Sequence, residues 1–378
     1  MKILVLSNCP LDAAQGSGYV TLGFCQGLRA RGHEVDLFGP QSFEPLPALQ
    51  GRARSYRQAL GIWRFCQRQL RRKKYDVVEL WGGEAWLAIS LLSRRARRPL
   101  LVSHSNGLET HFAQIERQSP AAGARRWYQL DQSRLMERAF TLSDGLVTVS
   151  HFDADYARQH RYQEPERIVT IENSLAPEFL DLPVEWERER VVGFCGSWLE
   201  NKGASLMREA MRRVLSLSPA TRLRLVGVGE AFDKQQQFPE VCAQVDVVPF
   251  VREKTELRRL YREMAVLLSP SIYESFGLAR AEAMACGCAL VATRTGLAAS
   301  LVDGQQARLL PEHSALALQH AVQELLGDET LRRHIARGGY ERVQSLRWPD
   351  AVEILERTYQ AWLAERGAAP AKSGARRK

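Results

Sequence analysis

Twelve short runs rich in β-branched residues and leucine, most followed by a helix-length amphipathic stretch, recur along this chain of 378 residues. That alternation is the pattern of parallel sheets, because parallel neighbours need a long crossover and cannot be joined by a tight turn. The first six runs centre on Ile3–Leu6, Val35–Phe38, Val77–Leu80, Leu100–Val102, Leu146–Val149 and Ile168–Ile171. The second six centre on Val191–Phe194, Leu223–Val226, Val245–Val248, Val266–Leu268, Ala289–Val291 and Arg308–Leu310. A closed eight-stranded barrel would leave four of these without a place, so the fold class implied is α/β, with two doubly wound, Rossmann-like domains.

The break between them falls near "LAPEFLDLPVEWERER", where prolines and charges interrupt the apolar rhythm, giving domains 1–178 and 179–347. Beyond residue 311 the pattern is helical. The last helix, announced by "RWPD" with Pro349 in its first turn, runs over 348–366. The remaining 367–378, "GAAPAKSGARRK", reads as a disordered basic tail.

Composition narrows the function classes. The apolar share of 45% and charged share of 25% are those of a folded globular protein. "MKILVLSNCPLDAAQ" is too short in apolar residues for a signal peptide, and no run is long enough to span a bilayer, so a cytoplasmic location is expected. The seven cysteines form no CxxC pair, so neither disulfides nor zinc is expected. The net charge of +9 is concentrated early: residues 1–180 hold 24 basic and 18 acidic side chains, a difference of +6. Such a surface can attract nucleic acid, anionic lipid or phosphorylated small molecules. No nucleic-acid-binding motif accompanies it, and no nucleic-acid partner is expected.

In open parallel sheets ligands bind beyond the carboxyl ends of the strands, and the loops there single out candidates. After the first strand, Gly16 and Gly18 lie ahead of a helix, where small residues let a phosphate approach unpaired N–H groups. A dinucleotide fingerprint would need glycine at Thr21, so nicotinamide cofactors are poorly matched; a turn that merely needs glycine is the other reading. His104, in "LLVSHSNGLE", is expected at a carboxyl end facing a cleft, able to exchange a proton with a hydroxyl. "GSWLENKG" offers Lys202, a point charge suited to a diphosphate, and "LRLVGVGE" offers Gly229 for close backbone approach.

The segment "SIYESFGLARAEAMACGCALVAT" is more specific. Glu274 falls in the loop after a strand, and a helix beginning near Gly277 or Leu278 puts Glu282 about one turn inside it. The N–H groups of Phe276, Gly277 and Leu278 would lie beside one carboxylate, with the second further along. Carboxylates can accept from neighbouring sugar hydroxyls while a helix end supports phosphate. Two glutamates on a helix are often only solvated, but the alanine-rich surroundings mark this helix as buried, and buried carboxylates need partners.

These motifs together resemble the retaining glycosyltransferases of the two-Rossmann-domain type, the GT-B fold, specifically family 4 (glycosyl transferases group 1). "PSIYESFGLARAEAMACGCALVAT" is similar to that family's pair of glutamates with seven residues between. "GSWLENKG", "LRLVGVGE", "VDVVPFV", "SDGLVTVS" and "IENSLAPEF" occupy corresponding places. The resemblance implies two domains facing a cleft, a nucleotide-diphosphate sugar as donor, and no essential metal or other cofactor. It implies that Glu274 and the Phe276-Gly277-Leu278 backbone hold the donor sugar and that Glu282 binds the ribose. Lys202 would neutralise the diphosphate, with Gly18 approaching it, and His104 would lie near the reacting carbon; Glu274, His104 and Lys202 would be the catalytic groups. The family frequently has arginine where this chain has Ser197, so either Lys202 acts alone there or another arginine substitutes. The last helix would cross back onto the first domain. Asp153 and Asp155 spell Asp-x-Asp, a metal-binding pattern of the other main glycosyltransferase fold, but here they read as a helix start, where carboxylates favour the dipole.

The acceptor is expected to be a glycan or lipid-linked hydroxyl. In "RSYRQALGIWRFCQRQLRRKK", Tyr56, Leu60, Trp63 and Leu70 share a helical face amid arginines, and "GARRWYQLDQSRL" repeats the basic-aromatic pairing. One reading is a helix lying on an anionic membrane surface; the other is a crossover helix with a solvated basic face. A sugar-nucleotide epimerase and a non-catalytic sugar-binding protein are the alternatives to transfer.

Overall fold

The computed structural model describes residues 1–44, 54–118 and 126–368. The tail from 369 on, and the side chains of the basic-aromatic stretch as far as 132, lie outside them. By contacts the chain divides into two units, one of Met1–Thr148, Ala154–Ile171 and Trp348 onward, the other of Val149–Asp153 and Glu172–Arg347. The main changeover, at Ile171, precedes the prolines and charges from which the sequence boundary at 178 was read.

The first unit is built on six strands, β1 Lys2–Leu6, β2 Glu34–Phe38, β3 Val77–Trp81, β4 Leu100–Ser105, β5 Gly145–Thr148 and β6 Ile168–Thr170. They form one parallel sheet in the order β2-β1-β3-β4-β5-β6. The second unit repeats the plan with β7 Val191–Cys195, β8 Arg222–Val226, β9 Val245–Val248, β10 Val266–Ser269, β11 Ala289–Ala292 and β12 Arg308–Leu309. Its order is β12-β11-β10-β7-β8-β9, also parallel. Both are doubly wound sheets, and the central strands are buried on both faces, which is why they read as unbroken apolar runs rather than alternating ones.

The order reverses between β1 and β3 in the first unit and between β7 and β10 in the second. Loops leaving a pair of strands at such a point diverge to opposite faces and leave a crevice. In the second unit those two loops are the ones that carry Lys202 and Glu274.

The helix Arg54–Arg72 settles one open question. Ile62 and Cys66 are buried in the first unit's core, and Trp63, Phe65 and Leu70 pack against it. Most of its apolar residues are therefore committed to the core, with Tyr56 exposed at its start and Arg64, Arg68, Arg71 and Arg72 on the exposed side. This is the crossover-helix reading.

The last helix, Trp348–Ala368, belongs to the first unit despite following the second in sequence. The Trp348 indole donates to the Tyr19 hydroxyl at 2.8 Å and meets Phe24 edge-on, both on the helix Gly16–Ala30. Tyr359 and Trp362 are buried further along, and Glu356 accepts from His33 at 2.7 Å and from Arg31. Replacing Trp348 with alanine removes the ring contacts and leaves a cavity at the start of this helix; the expected cost is about 3 kcal/mol, read as a lowered urea midpoint.

Candidate active site

The second unit's switch point assembles a cluster of charged groups on two loops. The β7 loop closes in a short turn, Glu200–Lys202, followed by Gly203 in the left-handed region. Its backbone is tied to the β10 loop, since the Ile272 amide donates to the Asn201 carbonyl at 3.0 Å. That register brings Lys202 Nζ to 2.6 Å from Glu274 Oε2, with Ser271 Oγ at 3.3 Å from the same oxygen.

Burial pushes the Glu274 carboxyl upward, but the Lys202 and Arg280 cations and the hydrogen bonds from Lys202 and Ser271 outweigh it. The group is held below the usual carboxylate range and stays ionised. Lys202 is a partly exposed ammonium with three donors, of which this contact uses one.

The helix that follows is Leu278–Ala285, as expected, and Glu282 stands four residues inside it. Gly277 caps its start with φ +92°, a conformation that side-chain-bearing residues rarely adopt. A Cβ there would meet the Arg280 and Glu274 side chains. Among the described residues the amides of Phe276, Gly277 and Leu278 find no protein acceptor, as the first turn of a helix dictates. Phe276 itself is buried, and its carbonyl accepts from the Leu297 amide at 2.8 Å.

Glu282 is 4% exposed. Its Oε1 accepts from Lys254 Nζ at 2.7 Å and its Oε2 from the Tyr261 hydroxyl at 3.3 Å. Here burial prevails: it raises the carboxyl above its ordinary value, with Lys254 and Tyr261 offsetting only part of the shift.

Arg280 was not foreseen. It is fully buried, and its guanidinium donates to the Ser269 side chain and carbonyl and to the Thr295 hydroxyl and carbonyl. Burial lowers its pKa to about 10. With its donors so committed it braces the ends of β10 and β11, and it supports Glu274 by charge. It is not available to stand in for the arginine absent at Ser197, which is exposed just after β7.

Lys254 was missed as well, although it carried a signal: a cation on the first residue of a helix opposes the dipole and calls for a specific partner. Gly229, after β8, has φ +100° and open space where a side chain would project.

In the first unit the site residues differ from expectation. His104 does not face outward. β4 runs on to Ser105, so residue 104 is still within the strand and in register with Trp81. The ring is fully buried, stacks on Trp81 at 3.8 Å, lies 5.0 Å from Phe24, and shares its Nδ1 with Glu79 Oε1 at 2.6 Å. Moreover, β4 lies outside the switch point between β1 and β3.

Gly16 opens its helix, and Gly18 lies one turn-fraction further in. A Cβ on Gly18 would strike the backbone of Asp12 and Pro10, so this glycine is required by the chain's own preceding loop. Asp153 and Asp155 point apart. Asp153 is buried and accepts from the Tyr273 hydroxyl at 3.0 and 3.1 Å, while Asp155 is exposed and pairs with Arg158.

Comparison with known proteins agrees with this architecture. Residues 14–179 match the family model described as Glycosyltransferase Family 4, and residues 189–328 match Glycosyl transferases group 1. A D-inositol 3-phosphate glycosyltransferase of Stackebrandtia nassauensis is 27% identical over 263 residues, an alignment spanning 63% of this chain and 59% of that protein's length. Sucrose-phosphate synthase from Thermosynechococcus elongatus superposes with a TM-score of 0.79 at 18% identity, covering 96% of this chain and 99% of that one. Anabaena HepE, solved with UDP and glucose, gives 0.68 at 18% identity, covering 96% and 100%. With a family model on each of its two doubly wound units, in order, this chain belongs to the group 1, family 4 glycosyltransferases of GT-B fold.

Proposed function

We propose that the protein transfers a sugar from a nucleotide-diphosphate donor, UDP- or GDP-linked, to a hydroxyl of a glycan or lipid-linked acceptor, with retention of configuration. The observation that carries this reading is the Lys202–Glu274 pair beside the unpaired amides of residues 276–278. Glu274, ionised and held at one oxygen, accepts from sugar hydroxyls. Lys202 turns its remaining donors to the diphosphate, where charge builds as the anomeric C–O bond breaks. The acceptor oxygen bonds to the anomeric carbon, and its proton passes to the departing diphosphate. Ser197 contributes no charge, so Lys202 bears more of the task here than it would beside an arginine.

The UDP and glucose carried by HepE favour a uridine donor, though a GDP-sugar fits the same charges. Synthesis of cell-envelope polysaccharide or glycolipid is the role we infer, on the cytoplasmic side. Epimerisation is the alternative, and product analysis with donor alone separates the two.

A panel of UDP-, GDP- and ADP-sugars scored for binding and slow hydrolysis tests the donor. With the donor so found, Glu274→Ala is expected to lower kcat about 100-fold or more; rates within a few-fold of wild type at saturating donor would refute the assignment. In Lys202→Met the first of the influences that lower Glu274 is gone while burial stays. Its carboxyl should titrate at higher pH by 13C NMR. The stability that wild type has above the ordinary carboxylate range, and loses on acidification, should shrink.

No helix among the described residues is long and apolar enough to cross a membrane. A peripheral contact is favoured by the exposed Arg64, Arg68, Arg71 and Arg72, joined to the exposed Arg94, Arg95 and Arg97 where Arg95 lies over the Trp63 ring at 5.5 Å. With the apolar face buried, that contact would be electrostatic. Sedimentation with phosphatidylglycerol vesicles at low salt, absent with phosphatidylcholine and lost at 0.5 M salt (Debye length about 4 Å), is the expected result.

A further inference from the structure

We propose that Lys254 is a positioning residue for the donor nucleotide: with Tyr261 it clamps Glu282 so that the carboxylate's remaining lone pairs receive the two hydroxyls of a ribose. This rests on the reading of Glu282 as the ribose acceptor. Lys254 and Tyr261 lie seven residues apart on the helix Lys254–Arg262, two turns along one face, and between them they take both oxygens of Glu282. A carboxylate has about four acceptor positions. Two are occupied by the clamp, and two are left, which is what a vicinal diol requires.

The clamp also controls charge. A nearly buried glutamate tends to take up a proton, and a protonated carboxyl would accept poorly from a diol. The groups facing Glu282 are few. The helix Lys254–Arg262 supplies Lys254 and Tyr261, with Arg258 acting on Cys286; β7 supplies Cys195; the end of Glu282's own helix supplies Cys286. Burial raises both thiols and the phenol, so all three are neutral near pH 7. Arg258 is turned to the Glu178 carbonyl at 3.2 Å. Lys254 is thus the cation in direct contact, and its ammonium also lies 5.9 Å from the Phe179 ring centroid.

The test is calorimetric binding of UDP, GDP and ADP from pH 6 to 9, then of the best binder's 2′-deoxy counterpart, to wild type, Lys254→Met, Lys254→Gln, Lys254→Arg and Glu282→Gln. Circular dichroism checks the fold of each. At pH 7 Lys254→Met and Lys254→Gln should bind about tenfold more weakly, and their binding should tighten as pH rises and Glu282 ionises. Lys254→Arg should stay within about threefold of wild type. Preference for the ribonucleotide over its deoxy form should fall in Glu282→Gln, and in the two neutral variants at pH 6.

If Glu282→Gln keeps wild-type affinity and preference, the ribose reading fails and the proposal with it. If Glu282→Gln is impaired while the neutral variants bind like wild type, or show equal weakness at pH 6 and 9, the ribose reading stands and the role of Lys254 is overturned.

Discussion

Two carboxylates, one partly buried on a loop and one nearly buried on the short helix after it, are each met by a lysine from another element. For the nearly buried Glu282, an ionised carboxylate without its partner would be costly. The Lys202–Glu274 contact does more than decorate a crevice. It ties the β7 loop to the β10 loop across the reversal of strand order, and the surrounding backbone conforms to it: Gly277 in the left-handed region, Phe276 buried, Arg280 braced across the ends of β10 and β11. The second pair, Lys254–Glu282, fixes the preceding helix, Lys254–Arg262, to the helix Leu278–Ala285.

The two pairs differ in balance. At Glu274 the nearby cations overcome burial, whereas at Glu282 burial overcomes its single lysine. One carboxylate is securely charged and the other is poised. Glu274 is less buried than Glu282 and, beside its lysine, has the positive charge of Arg280, which is itself too enclosed to touch a ligand.

Much of this was readable in one dimension. All twelve strands could be placed because each is a short apolar or β-branched run, unbroken where a central strand is buried on both faces, and the helix start at Leu278 because alanines follow a glycine. Glu274, Glu282 and Lys202 could be singled out because loops after strands, and the helices they open, are where such folds keep their chemistry. What failed depends on information that spacing lacks. With β4 centred on Leu100–Val102, His104 is expected just past its carboxyl end, but the strand continues to Ser105 and keeps His104 in the core. Arg280 and Lys254 find their partners across elements, and nothing local distinguishes them from solvated cations beyond the adverse helix end at Lys254. The arginine-rich helix at 54–72 has one pattern for two fates, and only packing against β-strand side chains decides between them.

The last helix has a consequence for how the chain is made. Trp348, Tyr359 and Trp362 complete a core whose sheet lies within the first 170 residues, yet they are translated after the whole second unit. Domains generally fold as units as they emerge, but here the earlier one must wait, partly uncovered, while about 175 residues of another domain are synthesised and folded. Until then the face of the helix Gly16–Ala30 that meets the Trp348 indole, at Phe24 and Tyr19, lacks its cover, and synthesis of the final helix is what supplies it.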